Sequence, residues 1–258
     1  MIEKLGRNPL ALAGAFILSA LLGALLFALI QAWLPGMGKQ AEIERVVRNY
    51  ILSHPDIIPE AIDKLRAGEA AKAEQAQRDA QRALPASLAT LRKPYASAIA
   101  GNPNGDVTVV AFMDYACGYC RASLPGLEDL IAKDPNVRIV YREYPVLGPE
   151  SAAGARWALA AAEQGKYRAF HDALYAEGPP SHDAIAAAAA KAGLDKAAAE
   201  KAVRSDAVTA EIAANHRLGQ KLAMTGTPAW VIGDKLYLTG ALDYAGLAEA
   251  VADARKAK

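Results

Sequence analysis

The chain has 258 residues, enough for one or two domains with a real hydrophobic core. Its formal net charge of +1 gives no hint of nucleic-acid binding. Half of the composition is hydrophobic (53%), but part of that belongs to one N-terminal run.

No charged residue occurs between Arg7 and Lys39, and residues 10–34 are almost wholly apolar. At helical rise these span ~37 Å, more than the ~30 Å hydrocarbon layer of a bilayer, so the run reads as a membrane span. A cleaved signal peptide is the rival, because Lys4 and Arg7 precede the run as a basic leader would. The apolar core of a signal peptide is normally only about 7–15 residues, and no convincing small-x-small cleavage site precedes Gln31-Ala32-Trp33, so length favours an uncleaved anchor. Trp33 falls at the far interface. Lys39, Arg45 and Arg48 follow the span, so charge leaves its orientation open.

After Pro35-Gly36-Met37-Gly38, the residues Ile43, Val46, Val47, Tyr50 and Ile51 recur at helical spacing as one apolar stripe. Ser53-His54-Pro55-Asp56 breaks it, and a second helix restarts near Asp56 with Ile58, Ile62 and Leu65 on one face. Gly68 is a possible hinge. Residues 69–84 are strong helix formers with a narrow seam at Ala73, Ala76, Ala80 and Ala83, ended by Pro85. Helices this thin bury their stripes only against the main domain or copies of themselves. For residues 43–65 self-association is the better reading, whereas 69–84 serves equally well as spacer or oligomer seam.

A larger domain begins near Leu88. Gly101-Asn102-Pro103-Asn104-Gly105-Asp106 is a dense turn signal before a strand at 107–113, and an alternating strand at 137–144 closes a β-α-β unit. Alanine-rich helices follow at 151–164, 167–175, 181–192, 195–203 and 206–223, with Gly193 and Asp195 as stop and restart. A hairpin at 227–232 and 235–239, turned by Gly233-Asp234, and a helix at 244–254 complete the chain.

The two cysteines stand together as Cys117-Gly118-Tyr119-Cys120, between the first strand and the helix of that unit. At a helix start the unpaired amides and the positive dipole end favour a thiolate, which marks Cys117 as nucleophile. Cys120, three residues on, shares its helical face and can attack a mixed disulfide formed at Cys117. Such exchange is most useful on the oxidising side of a membrane, which orients the C-terminal part toward the periplasm or exterior. A zinc site would need His54, His171, His182 or His216, none spaced as a ligand pair, so no metal is expected. His171 reads as a core histidine, Trp157 and Trp230 as packing aromatics with Trp230 a candidate lining of a substrate groove, and Arg121 as a candidate charge partner of the thiolate.

From about Leu88 onward the chain resembles the DsbA-like family of extracytoplasmic disulfide-exchange proteins. The resemblance is carried by Asp114-Tyr115-Ala116-Cys117-Gly118-Tyr119-Cys120, Arg142-Glu143-Tyr144-Pro145 and Gly226-Thr227-Pro228-Ala229. Residues 43–51 and 55–62 are similar to the N-terminal segment of ScsC-type members, some of which trimerise. The resemblance implies an α/β thioredoxin fold with a helical domain inserted at about 150–223 of a domain covering 88–258. A membrane anchor (1–38) and a helical stalk (39–87) precede it. It implies that Pro228 is a cis-proline facing the thiols, and that Thr227, Pro228, Gly118 and Tyr119 receive the substrate. Thr227 and the Gly118-Tyr119 dipeptide are similar to the pattern of isomerases such as DsbC, rather than the Pro-His and Val-Pro of the oxidant DsbA. Many relatives carry a buried carboxylate six residues before the first cysteine; here Ala111 stands there, and Asp114 lies on the opposite strand face if the strand runs that far.

Three function classes follow: an enzyme that reshuffles or forms disulfides in exported proteins, a dedicated reductase, or a module holding copper(I) on the thiol pair. The first, leaning to isomerase, needs no cofactor beyond a redox-active Cys117–Cys120 disulfide. Its expected partners are exported cysteine-containing proteins, a membrane thiol-disulfide partner that resets the pair, and further copies of the chain through the stalk. The expected location is the inner membrane, single-pass, with the catalytic domain in the periplasm.

Overall fold

The computed structural model describes residues 9–33, 37–238 and 240–257; Lys4, Arg7, Pro35, Gly36 and Thr239, used in the expectations above, lie outside them. The chain forms two compact units, Met1–Ala70 and Ala71–Lys258.

In the first unit α1 (Pro9–Trp33) is long and apolar enough to cross a membrane, and α2 (Met37–Ser53) carries the stripe. The helix stops where the His54 amide bonds the Tyr50 carbonyl and Pro55 follows. Ile43, Val46, Val47 and Tyr50 are each at least half exposed, so within one chain the stripe is uncovered. The next helix, α3 (Ile57–Ala83), runs through Gly68 without a break, and the division between the two units falls just after it at Ala70. A single glycine costs a helix only about 1 kcal/mol relative to alanine, and the alanine, glutamate and lysine around it outweigh that.

The second unit starts in the last turns of α3, where Ala80 is buried and the Gln81 side chain donates to the Asp234 carbonyl at 3.2 Å. One end of the alanine seam is therefore packed within this unit. A short helical turn at Pro85–Ser87 leads into α4 (Leu88–Leu91) and the strand β1 (Ile99–Gly101). Next come β2 (Val107–Met113), α5 (Gly118–Lys133) and β3 (Val137–Glu143). The strands β2 and β3 are parallel, in register from Val107 opposite Val137 to Met113 opposite Glu143. The inserted helices α6 (Pro149–Glu163), α7 (Tyr167–Glu177), α8 (His182–Lys191), α9 (Lys196–Val203) and α10 (Asp206–Lys221) precede β4 (Ala229–Ile232), β5 (Lys235–Tyr237) and α11 (Tyr244–Lys256). The sheet order is β1-β3-β2-β4-β5, with β1 antiparallel to β3 and β4 antiparallel to β2.

The period-two alternation of β2 divides the core. Val107, Val109, Ala111 and Met113 face a cluster with Ile139, Tyr141, Leu127 and Leu247, while Val110 and Phe112 face a second with Val140, Leu84 and Leu222. A central strand covered on both faces is largely apolar, and β2 departs from this only at Thr108. The alanine-rich helices are separated by side-chain caps: Ser181 accepts from the Ala184 amide, Asp195 from Ala198 and Ser205 from Val208, at 3.0–3.2 Å. Gly193 takes the positive φ of +64° that ends α8. On α10, Gly219 leaves room for the Tyr144 ring, which a Cβ would meet at 2.5 Å.

Candidate active site

The chain leaves β2 at Met113, turns through Asp114-Tyr115-Ala116 and enters α5 with Cys117 as its N-terminal flanking residue, at φ −81° and ψ 116°. The Cys117 amide bonds the Asp114 carbonyl at 3.0 Å, and the Cys117 carbonyl receives the Arg121 amide at 3.2 Å as the helix begins. The first cysteine thus sits against the unpaired amides of a sixteen-residue helix, where negative charge is favoured. The next two residues face outward: Gly118 is exposed with open space where a side chain would go, and Tyr119 is 69% exposed.

The two sulfurs are unlinked and both cysteines are buried, Cys117 at 6% exposure and Cys120 at 0%. The Cys117 thiol donates to the Thr227 carbonyl at 3.1 Å, across from a cis Thr227–Pro228 peptide bond. Cys120 is fully enclosed, and its sulfur accepts the Asp114 amide at 3.4 Å. Burial pushes the Cys120 thiol up, with the Asp114 amide pulling weakly the other way. All six site residues expected from sequence therefore converge, with Gly118 and Tyr119 on the open side and Thr227 and Pro228 opposite Cys117.

Several expectations change. The Arg121 guanidinium turns from the sulfur to bond the carbonyls of Tyr175 and Gly178, tying α5 to the end of α7. Trp230 lines no groove: it is fully buried and its indole N–H donates to the Gly240 carbonyl at 2.9 Å. Ala111 sits in the sheet between Tyr141 and Trp230, and Asp114 acts as a brace. Its carboxylate accepts the amides of Ala116 (2.8 Å), Val146 (2.8 Å) and Leu147 (3.0 Å), fixing a loop whose apolar side chains stay exposed.

The buried acid on the core face of the sheet is Glu143. It follows Val137, Ile139 and Tyr141 in the alternation, and its carboxyl accepts the hydroxyls of Tyr167 (2.7 Å) and Tyr115 (3.2 Å). Burial pushes Glu143 up to about 8 despite these two donors. A charged residue on the inward register of an apolar strand was the available signal, and it was absorbed into the Arg142-Glu143-Tyr144-Pro145 motif. Beside it the fully buried His171 has Nδ1 at 3.1 Å from the Tyr115 hydroxyl, and burial lowers its ring to about 3. On the other sheet face Arg142 bonds Glu211 at 2.8 Å, Asn215 at 3.1 Å and the carbonyls of Leu91 and Lys93, while Asn215 holds the Glu143 carbonyl at 3.1 Å.

Residues 108–252 match the model of the DSBA-like thioredoxin domain, more than half of the chain, and residues 40–72 match that of the copper resistance protein ScsC N-terminal domain. Among solved structures, a thioredoxin-like oxidoreductase from Silicibacter pomeroyi is 44% identical with a TM-score of 0.62, covering 66% of this chain and 98% of that one. Proteus mirabilis ScsC in a transitional conformation is 27% identical with a TM-score of 0.62, over 88% of this chain and 100% of that one. The thiol-disulfide exchange protein alpha-DsbA2 of Wolbachia pipientis is 28% identical with a TM-score of 0.61, over 71% and 97%. The sodium/proton antiporter NhaA 3 of Salinispora tropica is 36% identical over 80 residues; this chain covers 12% of that protein's length.

Two buried groups with opposite shifts give the fold a defined pH response. His171 titrates near 6.5 when unfolded and about 3 when folded, so the stability it permits is complete above pH 6.5 and is lost as pH falls toward 3. Glu143 titrates near 4.5 unfolded and about 8 folded, so its contribution is complete below pH 4.5 and is lost as pH rises toward 8. Urea unfolding across this range is expected to show greatest stability between pH 4.5 and 6.5, with Glu143→Gln flattening the alkaline decline. An unchanged decline in that variant contradicts the assignment.

Proposed function

Since the chain belongs to the DsbA-like thioredoxin family and is a thiol-disulfide oxidoreductase, we propose that it acts as a disulfide isomerase on exported proteins, with Cys117 as nucleophile and Cys120 as resolving thiol. The Cys117 thiolate attacks one sulfur of a mispaired client disulfide; a mixed disulfide forms and the client's second sulfur leaves as thiolate. That thiolate attacks another client disulfide, and a later client thiolate displaces Cys117, so bonds are rearranged with no net oxidation. When rearrangement stalls, Cys120 attacks Cys117, the client leaves reduced by two electrons, and a membrane thiol partner reduces the resulting Cys117–Cys120 disulfide.

The observation that carries this reading is the asymmetry of the two sulfurs. Cys117 stands at the helix start beside the exposed Gly118-Tyr119 pair and the Thr227 carbonyl, while Cys120 is sealed behind it. A client segment laid along Thr227 would meet Cys117 first. The isomerase direction draws support from the Thr227 and Gly118-Tyr119 pattern, from the uncovered stripe on α2, and from the match of residues 40–72 to the ScsC N-terminal domain. Copies associated through that stripe would set several Cys117 sites around one cleft. A role holding copper(I) on the two thiolates is the second reading, favoured by the copper-resistance description of that matched segment. In either case α1 would anchor the chain in the inner membrane with its second unit in the periplasm.

Deleting residues 43–84 would strip Ala80 and Leu84 from the core of the second unit, so charge on the stripe is the cleaner probe. The double substitution Val47→Glu and Ile51→Glu is expected to abolish refolding of a scrambled multi-disulfide substrate while insulin reduction persists. Equal refolding by both proteins rules out the shared cleft. Stoichiometric copper(I) binding with no refolding activity in the parent protein favours the second reading. Alkaline carbonate extraction is expected to leave the chain in the membrane pellet, and its release to the supernatant contradicts the anchor.

A further inference from the structure

Glu143 has no part in the exchange steps above, yet a path of contacts through Tyr115, Tyr175 and Asp114 joins it to the resolving thiol. The contacts run without interruption. The Cys120 sulfur accepts the Asp114 amide, and the Asp114 carbonyl accepts the Tyr175 hydroxyl at 3.0 Å. The Tyr175 ring lies 4.7 Å from the Tyr115 ring, whose hydroxyl donates to Glu143. Tyr115, Cys120, Glu143 and His171 are all 2% exposed or less.

The charges facing this path can be taken element by element. The segment after β2 contributes Asp114, held by three amides, and Tyr115; α5 contributes Cys117 and Cys120. From α7 come Tyr167 and Tyr175, the neutral His171, and Arg168, which is engaged by Glu128 and Asp172. On β3 itself Tyr141 is uncharged, and Arg142 points to the opposite sheet face, where it pairs with Glu211. No cation therefore reaches the Glu143 carboxyl among the described residues. A carboxylate here and a Cys120 thiolate are like charges in a low-dielectric space, and each disfavours the other. Tyr175 is raised well above its usual range, by burial first and then by the charges of Cys120 and Glu143.

Building on the exchange reading above, we propose that Glu143 is a positioning residue that gates the resolving step: its neutral carboxyl admits a thiolate at Cys120, and its carboxylate opposes one. In that step the Cys120 thiol gives its proton to solvent and its thiolate attacks Cys117 in the mixed disulfide. The Cys117–Cys120 bond forms, the bond to the partner sulfur breaks, and the partner departs as thiolate with the electron pair. Burial places the Glu143 ionisation at about 8, so the gate closes in mildly alkaline conditions. Sequence position alone gives no hint of this, because Glu143 is 23 residues after Cys120 and is brought beside the end of β2, opposite Met113, only by the parallel β2–β3 register.

The test uses the reduced full-length protein and 5,5′-dithiobis(2-nitrobenzoate) in a stopped-flow series from pH 6 to 9.5. A first equivalent of nitrothiobenzoate reports attack by Cys117, and a second reports closure by Cys120; the leaving group needs no proton. In the parent protein the closure rate is expected to rise tenfold per pH step up to about 8 and more slowly beyond it. Glu143→Gln, which keeps an oxygen for Tyr115 and Tyr167, is expected to rise at full slope throughout. It should therefore match the parent at pH 7 and exceed it by about tenfold at pH 9.5. Tyr167→Phe removes a donor that favours the carboxylate, so the break is expected to move to higher pH. Parallel profiles overturn the proposal, as does slower closure in Glu143→Gln at pH 7, which makes Glu143 a base instead. Loss of the first phase overturns the exchange reading and this inference with it.

Discussion

The arrangement depends on the depth difference between two sulfurs one helical turn apart. Cys117 and Cys120 share one face of the first turn of α5 and belong to the same core cluster, the first 6% exposed with its thiol on the Thr227 carbonyl and the second fully enclosed. That difference exists because β2 delivers the chain to the helix at a fixed angle, and β2 is held on both sides, by β3 in parallel and by β4 in antiparallel register. Antiparallel β4 brings Thr227 and Pro228 to the same edge from more than a hundred residues away. Asp114 completes the support by binding three amides of the turn and the 146–147 loop, so the segments flanking the thiols are fastened to one carboxylate.

The same burial that encloses Cys120 encloses an internal acid. The strand β3 ends with Glu143 on the core face, and the tyrosines of α7 and of the Cys117 turn satisfy it without supplying charge. Hydrogen bonds from neutral hydroxyls are worth less to a carboxylate than the water they replace, so desolvation prevails. The result is an ionisable group in the interior whose state is set by pH and by the charge of its neighbours.

Much of this was legible in the amino-acid sequence, because the strongest elements are locally encoded. The apolar β2 run followed by Cys117, the alternating β3, the capped alanine helices and the Gly233-Asp234 turn each carry their own signal. What escaped is non-local. The three residues of β1 become a strand only by pairing with β3, since Ile99-Ala100-Gly101 has no pattern of its own. Gly68 stays helical because a glycine weighs little beside residues 69–83, of which all but Asp79 are good helix formers. Arg121 read as a thiolate partner, yet the carbonyls it binds, of Tyr175 and Gly178, lie at the C-terminal end of α7, more than fifty residues away. Glu143 was visible as a motif member, but its role follows from who faces it across the sheet, which one sequence does not list.

The most direct measurement of the central claim is competitive alkylation of the reduced protein with iodoacetamide at pH 7, read residue by residue by mass spectrometry. The account predicts that Cys117 is modified at least a hundredfold faster than Cys120 and faster than free glutathione, because Cys117 stands at a helix start beside the exposed Gly118-Tyr119 pair and Cys120 is fully enclosed. Comparable modification of the two, or a Cys117 slower than glutathione, would contradict it.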